Sequence, residues 1–306
     1  MTYGSPASLD DVGRYLTAVR GGREPEPELV AEFRRRYAAI GGSPLIAITQ
    51  AQAAAVEARF DGRVLVRAAM RFSEPSIATA LDELAAAGVD SIAAIVLSPQ
   101  FSPLLMGGYA RALEEARTSL AAANTSRAPR IELAGAWFDE PGLVEGLAGQ
   151  IRQALAGFEP AERASVPVVL TAHSLPLRIA RDEPAYIAQL TESAEHVAGA
   201  AGLAGDRWTF GWQSAGHEPG EWMKPDFAEL MPRFKAAGHR AVLIAPIQFL
   251  ADHLEILYDV EIGAREQAEA VGLAFHRITS LNTDPRLIDA LEAVGRRTLA
   301  AATSAA

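Results

Sequence analysis

Short apolar runs alternate along this chain with longer stretches in which apolar residues recur at three- and four-residue spacing. The runs predict strands at Val64–Ala69, Ser91–Leu97, Arg130–Ala136, Val166–Ala172 and Ala241–Ile247, with a weaker one at Leu273–Ile278. The helical spacing predicts helices at Pro27–Ile40, Ile46–Arg59, Ile77–Ala87, Gly107–Ala123, Leu143–Leu155, Glu183–Gly202, Asp226–Ala237 and Asp284–Ala301. Strands that alternate with helices imply an α/β fold with a mainly parallel sheet. The polar segment Glu159–Ala164 precedes a new strand and marks the expected domain boundary, giving halves 1–160 and 161–306, with the last helix able to pack back on the first half.

The halves repeat one plan. "SIAAIVLSPQFS" (91–102) and "AVLIAPIQFLAD" (241–252) each run an apolar strand to a proline and then Gln-Phe, and "MTYGSP" (1–6) resembles the tail of "VVLTAHSLP" (168–176). The second half has a full apolar strand before Thr171-Ala172-His173, whereas the first begins at Met1. Most of the first strand of half one is therefore expected to be missing from this chain, at a cost to the strands on either side.

Composition narrows the functional classes. Among 306 residues, 49% are hydrophobic and 22% charged, which is a globular balance, and the net charge of −10 disfavours nucleic acid and anionic membrane surfaces. The run "AVLIAPIQFLA" (241–251) is about half the roughly 20 apolar residues that a spanning helix needs. No export signal is visible at the start, and a cytoplasmic location is the expectation. The absence of cysteine excludes disulfides, a thiolate nucleophile, thiolate zinc sites and a cysteine-ligated iron–sulfur cluster. Metal chemistry would fall to His, Asp, Glu or Tyr.

Few positions carry sharp chemistry. His173 stands just past the end of a buried strand, where open α/β sheets place ligands. It suits a base or a metal ligand, although a histidine bonded to a local carbonyl fits equally well. A hydrolytic Ser174–His173 pair is weak, because the residues are neighbours and no G-x-S-x-G elbow exists. In "FLADHLEILYD" (249–259) a helix would put Asp252, Glu255 and Asp259 on one face, with His253 and Leu257 on another. Glu255 lies among Leu254, Ile256 and Leu257, so its carboxylate needs a partner or a task. Tyr3, Arg20, Arg23, Arg36, Tyr37 and the loop "IGGSPL" (40–45) suit carboxylate recognition, although a solvated helix face and a plain turn read the same way. "WFDEP" (137–141) and "GWQSAGHEPGEW" (211–222) read as aromatic loops after strands. Neither a GxGxxG nor a Walker loop is present.

Taken in order, "YGSPASLDDV", "RRRYAAIGGSPL", "WFDEP", "LTAHSLP", "GWQS", "DHLEILYD" and "SLNTDP" resemble the ferrochelatase family over nearly the whole chain. "AHSLP" followed by "DHLEILYD" is the specific pair. The start at Tyr3 and "GWQS" at 211–214 resemble the coproporphyrin-type branch of Gram-positive bacteria. The resemblance implies two similar Rossmann-like, chelatase-fold domains with a porphyrin cleft between them, and insertion of Fe(II) into coproporphyrin III in haem biosynthesis. It assigns His173 and Glu255 to catalysis and to the iron site, facing each other across the macrocycle centre. Tyr3 corresponds to an axial ligand of the product iron, and Tyr3, Arg20, Arg36, Tyr37, Ser43 and Tyr109 correspond to porphyrin-binding positions. Many relatives carry a histidine where this chain reads Arg71-Phe72-Ser73-Glu74-Pro75, and no metal role is assigned there. Fe(II) is then a substrate and no cofactor stays bound. The expected partners are the porphyrin, Fe(II) and, transiently, other haem-pathway enzymes, and a monomer is expected. The alternatives are a protoporphyrin IX ferrochelatase and a non-catalytic porphyrin- or haem-binding homologue.

Overall fold

The computed structural model describes residues 1–123, 129–215 and 220–304. The chain forms two compact units, Met1–Trp137 with Asn282–Ala306, and Phe138–Leu281. Both are α/β with parallel strands.

The first unit runs α1 (Val12–Val19), α2 (Pro27–Ala39), α3 (Leu45–Ala58), α4 (Ile77–Ala86), β1 (Ser91–Ala94), α5 (Pro103–Ala123) and β2 (Arg130–Leu133), and the last helix, Pro285–Ser304, packs on β1, β2 and α3. Local chemistry explains the starts. Pro27 occupies the first turn of α2, where a missing N–H costs nothing, and the Ser76 hydroxyl caps α4 by accepting from the Thr79 amide. β1 and β2 pair in parallel, Ser91 with Arg130 through Ala94 with Leu133. The expected strand at Val64–Ala69 does not form as a ladder. Among the described residues of this stretch and its edge, Met70 alone bridges, to Thr2 and to Ser76.

The second unit runs α6 (Pro141–Ala156), α7 (Pro160–Arg163), β3 (Val168–His173), α8 (Leu177–Asp182), α9 (Pro184–Ala201), β4 (Trp208–Gln213), α10 (Phe227–Ala236), β5 (Ala241–Pro246), a π-helix (Glu255–Ala264), α11 (Arg265–Ala270) and β6 (Ala274–Arg277). Its four strands are parallel in the order β4-β3-β5-β6. β3 and β5 are central, and their runs of Val, Leu, Ile and Ala are buried along almost their whole length, as parallel strands covered on both faces must be. Val169, Val242 and Ile244 pack against Phe227, Leu230 and Met231 of α10 and against Ile256 and Val260 of the π-helix. The division read at residue 160 falls after α6. In the structure α6 packs on α9, so the helix belongs to the second unit and the units part at Trp137.

β4 is not among the strands named from the sequence, and its last residues, Gly211–Gln213, read there as the start of an aromatic loop that follows a strand. That glycine is required by packing. A Cβ at Gly211 would stand 2.8 Å from Leu230 Cδ1 and 2.9 Å from Val169 Cγ1. Gly211→Val should therefore cost about 1–3 kcal/mol through overpacking. A lowered melting temperature checks this, and an unchanged one would contradict the close approach. Residues 216–219 of the loop read at 211–222 lie outside the described residues.

Candidate functional site

His173 is the last residue of β3, and the sheet fixes its backbone. Its amide donates to Gln248 Oε1 at 2.7 Å, and Gln248 Nε2 in turn donates to the hydroxyl of the fully buried Tyr186. Burial pushes the Tyr186 hydroxyl pKa up, so the phenol stays neutral. The His173 ring is oriented by its own neighbour, with Nδ1 2.6 Å from the Ser174 carbonyl oxygen. A carbonyl only accepts, so Nδ1 carries the proton and the Nε2 lone pair is left for chemistry. The Ser174 hydroxyl donates to the Met223 carbonyl at 3.3 Å and its residue is buried. It does not face the imidazole as a nucleophile would.

His173 Nε2 lies 3.9 Å from Glu255 Oε2, and His253 Nε2 lies 3.7 Å from the same oxygen. The His253 ring is set like that of His173, its Nδ1 3.1 Å from the Ala251 carbonyl. Two imidazole lone pairs thus approach one carboxylate. Two donors bonded to one ion at zinc-like lengths of about 2.0–2.2 Å stand no more than ~4.4 Å apart, and both pairs fall within that limit. The Glu255 side chain is 37% exposed and that of His173 30%, so a ligand can reach them. Among the described residues no group of three or more His, Asp or Glu side chains stands ready to hold a metal ion.

Two expectations need correcting. His173 and Glu255 do not face each other across a macrocycle. A flat ring between them needs a van der Waals contact of about 3.5 Å on each side, and their separation is only 3.9 Å. In the structure the two side chains lie side by side. Nor does His253 point away from Glu255. Ala251–His253 is not helical, and the helix that follows is a π-helix, so a regular wheel does not apply. Asp252 is turned elsewhere, accepting from the Ser280 hydroxyl at 2.7 Å and lying 3.7 Å from Arg277.

Burial pushes the Glu255 carboxyl pKa up, but the neighbouring His173 and then His253 pull it down further when they carry protons. The net value falls from 4.5 to about 2. Glu255 is therefore a carboxylate throughout the neutral range. In a ¹³C-carboxyl titration the Glu255 midpoint is expected well below 4, and in His173→Ala it should rise, since burial is then less opposed. A wild-type midpoint at 4.5 or above would contradict the arrangement.

The other predicted positions lie in the first unit. Tyr37 and Ser43 line a cavity of about 290 Å³ with Pro6–Leu9 and Gly41–Pro44, where Gly41 (φ +72°) and Gly42 (φ +93°) hold a turn that other residues resist. Tyr3 is 43% exposed and meets Phe72 edge-on at 4.6 Å. Arg71 lies over Phe72 at 4.6 Å and over Tyr109 at 5.7 Å, so Tyr3 and Tyr109 gather at that guanidinium. Burial pushes the Tyr109 hydroxyl up. Arg36 is turned to Glu32, its Nε donating at 2.8 Å, and Arg20 sits exposed at the end of α1. Within this unit the structure groups Tyr37 with Ser43 around the small cavity, and Tyr3 and Tyr109 lie near Phe72 and Arg71.

Comparison with known proteins decides the family. A model of the ferrochelatase family matches residues 1–299. The chain belongs to the ferrochelatase family. It is 36% identical over 307 residues to the coproporphyrin III ferrochelatase of Geobacillus thermodenitrificans, covering 98% of this chain and 95% of the relative. It is 35% identical to the coproporphyrin III ferrochelatase of Bacillus subtilis, with 96% and 94% covered. It is also 36% identical to a ferrochelatase of Deinococcus radiodurans, with 97% and 94% covered. Among solved structures it is similar to SirB from Bacillus subtilis with Fe³⁺, at a TM-score of 0.60, 15% identity and 83% and 91% coverage. CbiX, the terminal enzyme for biosynthesis of siroheme in denitrifying bacteria, follows at 0.55, with 18% identity and 84% and 93% coverage. These two likenesses concern the fold. No helix among the described residues is long and apolar enough to cross a membrane.

Proposed function

We propose that this ferrochelatase-family protein inserts Fe(II) into coproporphyrin III, yielding the iron porphyrin and two protons. The observation that carries the reading is the convergence of the His173 and His253 Nε2 atoms on the Glu255 carboxylate. Insertion must move a divalent cation from water to a ring centre while two pyrrole N–H protons leave. The ionised Glu255 and the imidazole lone pairs offer borderline donors that hold Fe(II) without burying it. His173 Nε2, held in the accepting tautomer by Ser174, takes a pyrrole proton. Fe(II) is here a substrate, and no resident cofactor or iron–sulfur cluster is needed.

A flat porphyrin keeps its nitrogen lone pairs in the ring plane, so insertion requires bending it. Binding energy from remote groups supports that strain. Arg20, Arg36, Tyr37, Ser43 and Tyr109 are the proposed propionate and ring contacts, with Tyr3 as axial ligand of the product iron. The support is their match to the family's motif positions, together with the turn amides and hydroxyls lining the small cavity at Gly41–Ser43. We take the protein to act as a cytoplasmic monomer that meets other haem-pathway enzymes in passing.

Coproporphyrin carries four propionates and protoporphyrin two. Hydrogen bonds to charged groups are worth about 1.5–3 kcal/mol each, so the four-propionate ring should bind at least ~10-fold more tightly. Fluorescence-quenching titrations with both porphyrins test this. Equal or reversed affinity would favour a protoporphyrin enzyme.

A further inference from the structure

In the second unit, the stretch that carries His253 and Glu255 is tied down at both ends by one side chain. Arg277 is the last residue of β6, the strand beside β5, and its side chain is only 11% exposed. A guanidinium this far from water needs partners. Its Nε donates to Glu261 Oε2 at 2.9 Å, and its Nη1 donates to the Ile278 carbonyl at 2.9 Å and lies 3.7 Å from Asp252 Oδ1. Asp252 directly precedes His253, and Glu261 follows Glu255 on the π-helix. The bridge therefore spans the two metal-facing groups.

Local hydrogen bonding does not hold this stretch in place. Residues 247–253 form neither helix nor strand. The π-helix that follows is a rare geometry, and a return to α-helical winding would turn Glu255 about the axis relative to Glu261. Ile256, Val260 and Ala264 seat one side of this helix in the core. On the other side Glu261 reaches Arg277, while Asp252 accepts from the Ser280 hydroxyl at 2.7 Å, so both ends rest on β6 and the residues after it. Arg265 also donates to Glu261, but it is the i+4 neighbour on the same helical stretch and cannot fix where that stretch stands.

We propose that Arg277 is a positioning residue for metal capture: by bridging Asp252 and Glu261 it fixes where the Glu255 carboxylate stands relative to the His173 and His253 imidazoles. The proposal rests on the reading of these three groups as the site that takes up Fe(II). The margin is narrow. The separations of 3.9 and 3.7 Å fall short of the ~4.4 Å limit for sharing one ion by less than an ångström, so a displacement of about 1 Å would part the donors. The planar fork of arginine can address two carboxylates and a carbonyl at once, whereas the single ammonium of lysine cannot span them from the same place.

The test is steady-state Fe(II) insertion into coproporphyrin III by the wild type, Arg277→Lys, Glu255→Gln and the double variant, with porphyrin affinity and melting temperature measured on each. Arg277→Lys keeps the charge and loses the fork. It should raise the KM for Fe(II) by about 10-fold or more while porphyrin affinity stays unchanged. Added to Glu255→Gln it should raise that KM by less than about twofold further, because a residue that acts through Glu255 then has nothing left to position. Asp252→Asn cuts the other end of the bridge and can still accept from Ser280. Run in the same cycle, it should show the same pattern, and it carries the test if Arg277→Lys fails to fold. A residue that only stabilises the fold would lower the melting temperature and act equally in both backgrounds. An unchanged KM, or an equal rise with and without Glu255, would overturn the proposal. The underlying reading fails separately, by Glu255→Gln itself leaving the KM for Fe(II) unchanged, and the proposal falls with it.

Discussion

His173→Ala is expected to lower the rate of Fe(II) insertion by about 10²–10⁴-fold, the usual contribution of a positioned general base, while coproporphyrin affinity changes little. The expectation rests on geometry. Three constraints converge on this ring: the Gln248 bond to its amide, the Ser174 carbonyl on Nδ1, and the end of a buried strand beneath it. Together they present one ring nitrogen in one direction. Alanine removes the lone pair and leaves the backbone bonds intact, so the loss should appear in the single-turnover rate constant for insertion. Insertion at the wild-type rate at neutral pH would remove His173 from the chemistry.

Glu255→Gln should have the second largest effect, and in a different parameter. The amide keeps the volume of the side chain but loses the charge that both imidazoles approach. Weaker capture of the divalent ion should raise the KM for Fe(II) by about 10–100-fold, with a smaller fall in kcat. The double variant His173→Ala, Glu255→Gln should lose less than the product of the single losses, because groups that serve one ion act as a unit. Steady-state assays over a range of Fe(II) concentration separate the parameters. A change confined to porphyrin affinity would instead make Glu255 a ring-binding residue.

How much of this was legible in the sequence follows from the signal each element carries. β3 and β5 were legible because central parallel strands are apolar on both faces, and runs such as Val168–Leu170 and Val242–Ile244 have no other use in a soluble domain. His173 stood out because that run stops at it. β4 was only half legible, since the loop read from Gly211 took in its last residues, and a glycine inside a strand gains its reason only from the packing of Leu230 and Val169. His253 was misread for a geometric reason. The helical wheel was laid over Asp252–Asp259, but residues before Leu254 are irregular and those after it wind as a π-helix, so neighbours in space are not those at i+3 and i+4. No simple period pairs His253 with Glu255, because Leu254 between them is already in the right-handed helical region and Glu255 opens the π-helix. Arg20 and Arg36 carried only composition, and in the structure Arg36 serves Glu32 on its own helix.

The internal repeat was the most informative feature of the sequence. Laying "MTYGSP" over "LTAHSLP" matched Met1–Thr2 to the end of β3, and Met1 and Thr2 make ladder-like bonds to Ile95, Leu97, Ala69 and Arg71. The same overlay did not predict where the units part, because α6 looks alike on either side of a boundary until its packing against α9 is seen.

The measurement that tests the central claim most directly is anaerobic Fe(II) insertion into coproporphyrin III by the purified 306-residue protein, followed by loss of the free-base spectrum. The account predicts multiple turnovers to the iron porphyrin at neutral pH, with two protons released per turnover. Tight porphyrin binding with no insertion under the same conditions would contradict it and make the protein a porphyrin carrier.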